Sequence, residues 1–266
     1  MNEKLCDGGG PGFVGERMQR RNPVCHVQGD ARDIGNKKER THMSDQATKG
    51  YKGIGMEGPI ARWYAKNTRK SIAGYKNDAK KVAACLPEKA DILEIAPGPG
   101  YLSIELAKLG NYKITGLDIS KTFVEIAREN AKEAGLEIDF RQGDAARMPF
   151  DSETFDLIIC RAAFKNFSQP IIALDEMNRV LKAGGKAVIL DLRGDVSHEA
   201  IDKHVEEDLG LTGINRLFTK WVFKFSLMKR AYTKDQFREM VSKSRFTKCK
   251  IQEDPTGIGL EVWLEK

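Results

Sequence analysis

No apolar run in the sequence comes near the roughly 18 residues that crossing a bilayer takes. The first residues also lack the basic-then-apolar pattern of a secretion signal. These absences exclude a membrane-spanning or secreted reading and lead to the expectation of a cytoplasmic protein. Cysteine is scarce and scattered: Cys6, Cys25, Cys85, Cys160 and Cys249 form no C-x-x-C pair. An odd, dispersed set suits neither a disulfide framework nor a zinc site. Buried or incidental thiols and no structural metal are therefore expected. Charge of one sign is missing too, with 44 basic side chains against 38 acidic, a net of +6. That balance reads as spread over the chain, without the stripe a nucleic acid usually requires.

What is present suits one domain with extensions. The chain has 266 residues, 41% of them hydrophobic and 31% charged, enough to bury a core beneath a solvated surface. Residues 1–42 hold the Gly8-Gly9-Gly10-Pro11-Gly12 run and no sustained period, so a disordered leader is expected there. A folded domain is expected over 43–266. His26 and His42 fall in the leader and are set aside.

From Pro59 the text alternates. Residues 59–86 have helical period, carried by Ile60, Trp63, Tyr64, Ile72, Tyr75, Ala79 and Val82, with an interruption expected near Gly74. Short apolar strands follow at 91–96, 113–118, 137–142, 155–160 and 186–191, separated by helices at 101–109, 120–134 and 170–181. Ser120 suits an N-cap, and Gly135 a helix end. Apolar runs alternating with helices predict a doubly wound α/β fold, a mostly parallel sheet with helices on both faces. After Asp191 the alternation breaks. Residues 195–232 are expected to form a helical lid at the sheet's ligand edge. A helix over 233–244 and two final strands close the sequence.

The chemistry concentrates at Glu94-Ile95-Ala96-Pro97-Gly98-Pro99-Gly100. A strand ends, the chain turns through two glycines, and a helix begins whose first N–H groups lack partners. By itself such a turn is weak evidence of a ligand. Asp118 ends the next strand, where a carboxylate can accept two ribose hydroxyls at once. Asp144 follows the third strand in Gln142-Gly143-Asp144-Ala145, placed to accept from an exocyclic amine. Three acids at strand carboxyl ends would line one crevice. A dinucleotide oxidoreductase is the natural competitor, but its pattern wants a third glycine where this chain has Ser103.

At these residues the chain resembles the class I S-adenosylmethionine-dependent methyltransferases, in the small-molecule branch that includes ubiquinone-biosynthesis-like enzymes. The likeness runs from about Ala90 to Leu192 and includes Gly116-Leu-Asp-Ile-Ser120, Phe155-Asp-Leu-Ile-Ile159 and Val180-Leu-Lys-Ala-Gly-Gly185. It implies a Rossmann-like, seven-stranded sheet and S-adenosylmethionine as cofactor. It also implies that Ala96, Pro97, Gly98 and Gly100 lie against the methionine part, with Glu94 organising the turn. Asp118 would hold the ribose and Ile119 would pack on adenine. Gly143, Asp144 and Ala145 would meet the adenine edge. Arg161 would sit beside the methionine end, and Tyr64 would close over the cofactor carboxylate. Two departures stand out: Ala96 replaces the first glycine, and Phe164-Lys165-Asn166-Phe167 replaces a histidine pair common in relatives.

A sulfonium carries its own reactive methyl, so the protein need only align the acceptor and exclude water. Where the acceptor must lose a proton, Asp191 and His198 are the base candidates, with Asp195 and His204 weaker. Residues 216–234 are basic and acid-free, with an apolar side. Either a membrane-surface helix or a lid fits this pattern, and the lid is preferred from its position. In the lid reading Phe218, Trp221, Phe225, Met228 and Tyr232 supply an apolar wall for a planar or hydrophobic acceptor, and Phe164, after the fourth strand, is a further substrate-side candidate. The expected activity is methyl transfer to a small molecule through oxygen, nitrogen or carbon. A non-catalytic cofactor-binding protein and an RNA methyltransferase are the alternatives. Oligomeric state is left open.

Overall fold

The computed structural model describes residues 50–52, 55–208, 213, 217, 220 and 227–266. The leader expected over 1–42 lies outside the described residues, as do Phe218, Trp221 and Phe225. The helices are α1 (Gly58–Thr68), α2 (Ile72–Ala83), α3 (Tyr101–Ala107), α4 (Lys121–Glu133), α5 (Pro170–Val180), α6 (His198–Lys203) and α7 (Lys234–Ser242). The strands are β1 (Lys89–Ile95), β2 (Asn111–Asp118), β3 (Asp139–Gln142), β4 (Phe155–Arg161), β5 (Leu181–Leu192), β6 (Lys248–Glu253) and β7 (Gly259–Glu265). They form one seven-stranded sheet in the order β3-β2-β1-β4-β5-β7-β6. The first five strands run parallel, while β7 is antiparallel to both β5 and β6. Order reverses between β1 and β4, so the carboxyl ends there open a crevice where sheets of this kind bind ligands.

Strand alternation explains why both faces are covered. In β1, Ile92 joins α2 and α3 in a core with Ile114, Leu157, Ile159 and Val188. Its neighbour Leu93 points the other way, into a core with α5, α7 and β7 built on Leu174, Met177, Phe237 and Val262. Fully covered strands are therefore continuous apolar runs rather than alternating ones.

Local signals set the boundaries. Ser120 caps α4 by accepting from Phe123 N at 3.0 Å, and Gly135 adopts φ 70° where the chain leaves that helix. The expected helix over 59–86 does break, but at a 3-10 turn over Arg69–Ser71 rather than at Gly74. Thr68 Oγ1 donates back to the carbonyls of Tyr64 and Ala65, drawing carbonyls away from the regular ladder. Gly74 stays inside α2. β5 begins at Leu181, directly after α5, so Gly184-Gly185 falls within a strand. Of the expected lid, the described residues include α6, a π-helical segment at His204–Asp208 and the turn at 227–230. Among the described residues no helix is long and apolar enough to cross a membrane.

Candidate active site

A cavity of about 610 Å³ opens at the carboxyl ends of β1, β2 and β4. Its floor is the turn after β1. Ala96 and Gly98 take positive φ of 54° and 55°, and Gly100 takes 79° as the N-cap of α3. Such angles suit glycine and strain alanine. Ala96 N donates to Leu117 O at 2.8 Å and Gly100 N to Pro97 O at 3.0 Å, which closes the bend. A Cβ on Gly98 would meet nothing within 4 Å, so the turn presents bare backbone to the cavity.

The three acids converge as the spacing suggested, and all three border this cavity. Glu94 is only 2% exposed and accepts a hydrogen bond from Ser103 Oγ. Burial pushes its carboxyl up to about 7, against the lowering effect of Ser103. Asp118 accepts Gly98 N on Oδ2 and Ser120 N on Oδ1, each at 2.9 Å. Burial lifts it to about 6, with those two N–H groups opposing the rise. Each of its oxygens still has a lone pair for a further donor. Asp144 accepts Ala146 N on Oδ1 at 2.9 Å, which shapes the loop after β3. A Cβ on Gly50 would lie 2.6 Å from Asp144 Oδ2 and 2.8 Å from the Ile119 side chain. The Gly50 backbone thus packs against Ile119 and Asp144 more closely than a side chain there would allow.

Tyr64, Ala96, Pro97, Gly98, Ile119, Gly143, Ala145 and Arg161 also line the cavity. Gly100 does not. It sits behind the turn, where a Cβ would press on Phe140 and Ala127, and so serves packing. Arg161 is held from α2: Nε donates to Asp78 Oδ2 at 2.6 Å, and the guanidinium lies 4.1 Å from the Tyr75 ring centroid.

The acceptor-side expectations fare differently. Asp191 lies outside the lining, 7% exposed, with its oxygens taken by Lys165 Nζ at 2.7 Å, Lys165 N at 2.9 Å and Leu192 N at 2.8 Å. A carboxylate so engaged braces the loop after β4 and is badly placed to take a proton from an acceptor. His198 is exposed on the first turn of α6, also outside the lining. Phe164 is fully buried and stacks on Phe237 at 5.4 Å, so it belongs to the core. Met228 packs with Ile201 and Val205 instead of facing the cavity, and Leu227 faces it in its place.

Several lining residues escaped the motif reading, among them Tyr51, Met56, Glu57, Phe123, Lys165 and Arg230. Tyr51 pairs with Phe167 across an isolated bridge, and Lys52 N donates to Asn166 O at 2.7 Å. These bonds draw residues 50–52 along the cavity. Glu57 accepts Lys121 N, Thr122 N and Thr122 Oγ1, tying the start of α1 to the start of α4. An acid just before one helix and an open N-terminus on another were the available signals, but nothing in the sequence pairs them.

Residues 93–189 match the family described as a methyltransferase domain. A demethylmenaquinone methyltransferase of Deinococcus radiodurans is 37% identical over 101 residues, 38% of this chain and 42% of that protein. An uncharacterized methyltransferase of Bacillus subtilis, YcgJ, is 32% identical over 163 residues, 57% of this chain and 61% of that one. The chain spans about half the length of the curated relatives it matches. A candidate S-adenosylmethionine-dependent methyltransferase of Methanococcus maripaludis superposes with TM-score 0.64 at 22% identity, over 80% of this chain and 95% of that one. A SAM-dependent methyltransferase of Aquifex aeolicus gives 0.55 at 18%, over 71% and 89%. The sheet is thus the Rossmann-like sheet of these proteins. In sequence and fold the chain resembles the class I S-adenosylmethionine-dependent methyltransferases of the ubiquinone-biosynthesis-like branch.

Proposed function

We propose that the chain binds S-adenosylmethionine in this cavity and passes its methyl group to a small organic acceptor, leaving S-adenosylhomocysteine. The observation that carries this is the meeting of Asp118, Asp144 and the bare Ala96–Pro99 turn on one cavity wall. The donor and acceptor set fits the group. Asp118 keeps one lone pair on each oxygen for a diol, and Asp144, held through Oδ1 by Ala146 N, borders the cavity as an acceptor for an amine. Ile119, 39% exposed, offers an apolar flank to a purine. Glu94 holds Ser103 on α3, which stiffens the turn from below.

When bound, the sulfonium supplies the electrophilic methyl. Asp118, Asp144 and the Ala96–Pro99 turn would hold that cofactor in the cavity. The protein's part is to orient and to exclude water. Met56, Ile60, Trp63, Phe123, Phe167 and Leu227 line the cavity with apolar surface and suit a planar, largely apolar acceptor. The relatives named for demethylmenaquinone agree with an acceptor of that shape. We place the reaction in the cytoplasm, in keeping with a core cysteine, Cys160, and no disulfide among the described residues.

Incubation with methyl-labelled S-adenosylmethionine and a panel of quinols, phenols and amines tests the proposal. Label should appear in one acceptor class, with stoichiometric S-adenosylhomocysteine. Tight cofactor binding with no transfer to any class would point to a non-catalytic binder instead.

A further inference from the structure

Counted by element, charge is not evenly spread, contrary to the reading from composition. Residues 58–83, the helical cap of α1 and α2, hold seven basic side chains and one acidic, a net of +6 that equals the excess of the entire chain. The one acid, Asp78, is engaged by Arg161. Arg62, Lys66, Arg69, Lys70, Lys76 and Lys80 are all exposed.

Amid these cations Trp63 is 64% exposed and Ile60 46%. Three-residue spacing sets Ile60, Trp63 and Lys66 along one stripe of α1, with Arg62 beside it. The opposite side of the helix is satisfied, since Ala61 and Ala65 are buried against Phe123 and Ile126. Ile60 and Trp63 also border the cavity, so the apolar patch is its rim. Leu227 and Arg230 border the same cavity and Lys229 is exposed nearby in sequence, within a stretch, 209–234, that contains no acid.

We propose that the outer face of α1 docks on an anionic membrane surface. Trp63 and Ile60 enter the headgroup region, while Arg62 and Lys66 lay their stems along it and meet acidic headgroups. A tryptophan between lysine and arginine is the composition of interfacial helices. The other occupants fit less well. A second copy would set one +6 cap against another across a two-fold axis. An RNA would meet the cations but gain nothing from Ile60. The docking itself does not depend on methyl transfer. Its consequence, that the acceptor enters from the lipid side of the rim, does rest on that proposed function.

Sedimentation of the full chain with vesicles is the test. Vesicles of phosphatidylcholine mixed with phosphatidylglycerol should bind it, phosphatidylcholine alone should not, and high salt should release it. Replacing Arg62 and Lys66 together by Gln should lower the partition coefficient roughly thirtyfold, at about a factor of five per basic residue near the surface. Trp63→Ser should also weaken binding while leaving the salt dependence in place. Both sites are exposed, so melting temperatures should match the parent. Absent binding, equal binding to both vesicle types or an unaffected double variant overturns the proposal. A dimer dissolved by Trp63→Ser, without vesicle binding, gives the face to a second copy. Salt-sensitive RNA binding without vesicle binding gives it to RNA. Calorimetry with S-adenosylhomocysteine, run separately, reports on the cavity alone, which keeps the two failures apart.

Discussion

Replacing Glu94 by Gln should reshape the pH dependence of stability in a calculable way. The carboxyl is 2% exposed, and burial carries it from 4.5 to about 7 despite the hydrogen bond from Ser103. Between those values the folded chain keeps a proton that the unfolded chain has released. The stabilisation is therefore complete below about pH 4.5 and drains away as pH rises through 7. A displacement of that size corresponds to about 3 kcal/mol. Asp118, moved from 3.8 to about 6, adds a slope of the same sign at slightly lower pH. Glutamine is neutral throughout and its carbonyl can still accept from Ser103. Urea unfolding of both proteins across pH 4 to 8, subtracted pH by pH, removes the titration of every other group. The wild-type protein should gain on the variant by about 3 kcal/mol as pH falls from 7.5 to 4.5. A flat difference profile would show that Glu94 ionises as an exposed carboxyl does, which would refute its burial.

Three further outcomes follow from the same geometry. Ala96→Gly should raise stability by about 1 kcal/mol, because relief of the strained positive φ outweighs glycine's larger unfolded entropy; an unchanged urea midpoint would contradict the strained turn. Asp191→Ala should cost about 3–5 kcal/mol by leaving Lys165 buried without its counter-charge. Lys165→Met should cost less, since Asp191 retains two backbone N–H donors, and denaturation in the reverse order would refute the bracing role. Gly50→Ala should weaken S-adenosylhomocysteine binding at least tenfold with little effect on melting, because its Cβ would lie 2.6 Å from Asp144 Oδ2. Unaltered affinity would move the adenine elsewhere.

What was legible in the sequence is what local chemistry dictates. Ser120 and Gly135 bracket α4 because a hydroxyl cap and a left-handed glycine are needed at those points. Glu94, Asp118 and Asp144 were readable because each lies at or just past the carboxyl end of a strand, and parallel strands deliver those ends to one edge. The acceptor side was not readable by the same means. Phe164 and Met228 look like pocket wall in a periodicity plot, yet an apolar side chain facing a cavity and one facing a core have the same spacing. Asp191 looked available because its partner Lys165 is distant in sequence and meets it only through the pairing of β4 with β5. Tyr51, Glu57 and Arg230 join the cavity through long-range contacts that leave no mark on neighbouring residues. The helix break missed Gly74 for a related reason: glycine tolerates a helix interior at modest cost, whereas Thr68 competes for the carbonyls of its own turn.

Titration calorimetry with S-adenosylhomocysteine tests most directly whether Asp118 holds an adenosyl ligand beside the Ala96–Pro99 turn. The wild-type chain should bind, and Asp118→Ala should lose about 1.5–3 kcal/mol, the range for hydrogen bonds to a charged group, with melting recorded alongside to confirm folding. No heat at millimolar ligand, or equal affinity in a folded Asp118→Ala chain, would contradict the account.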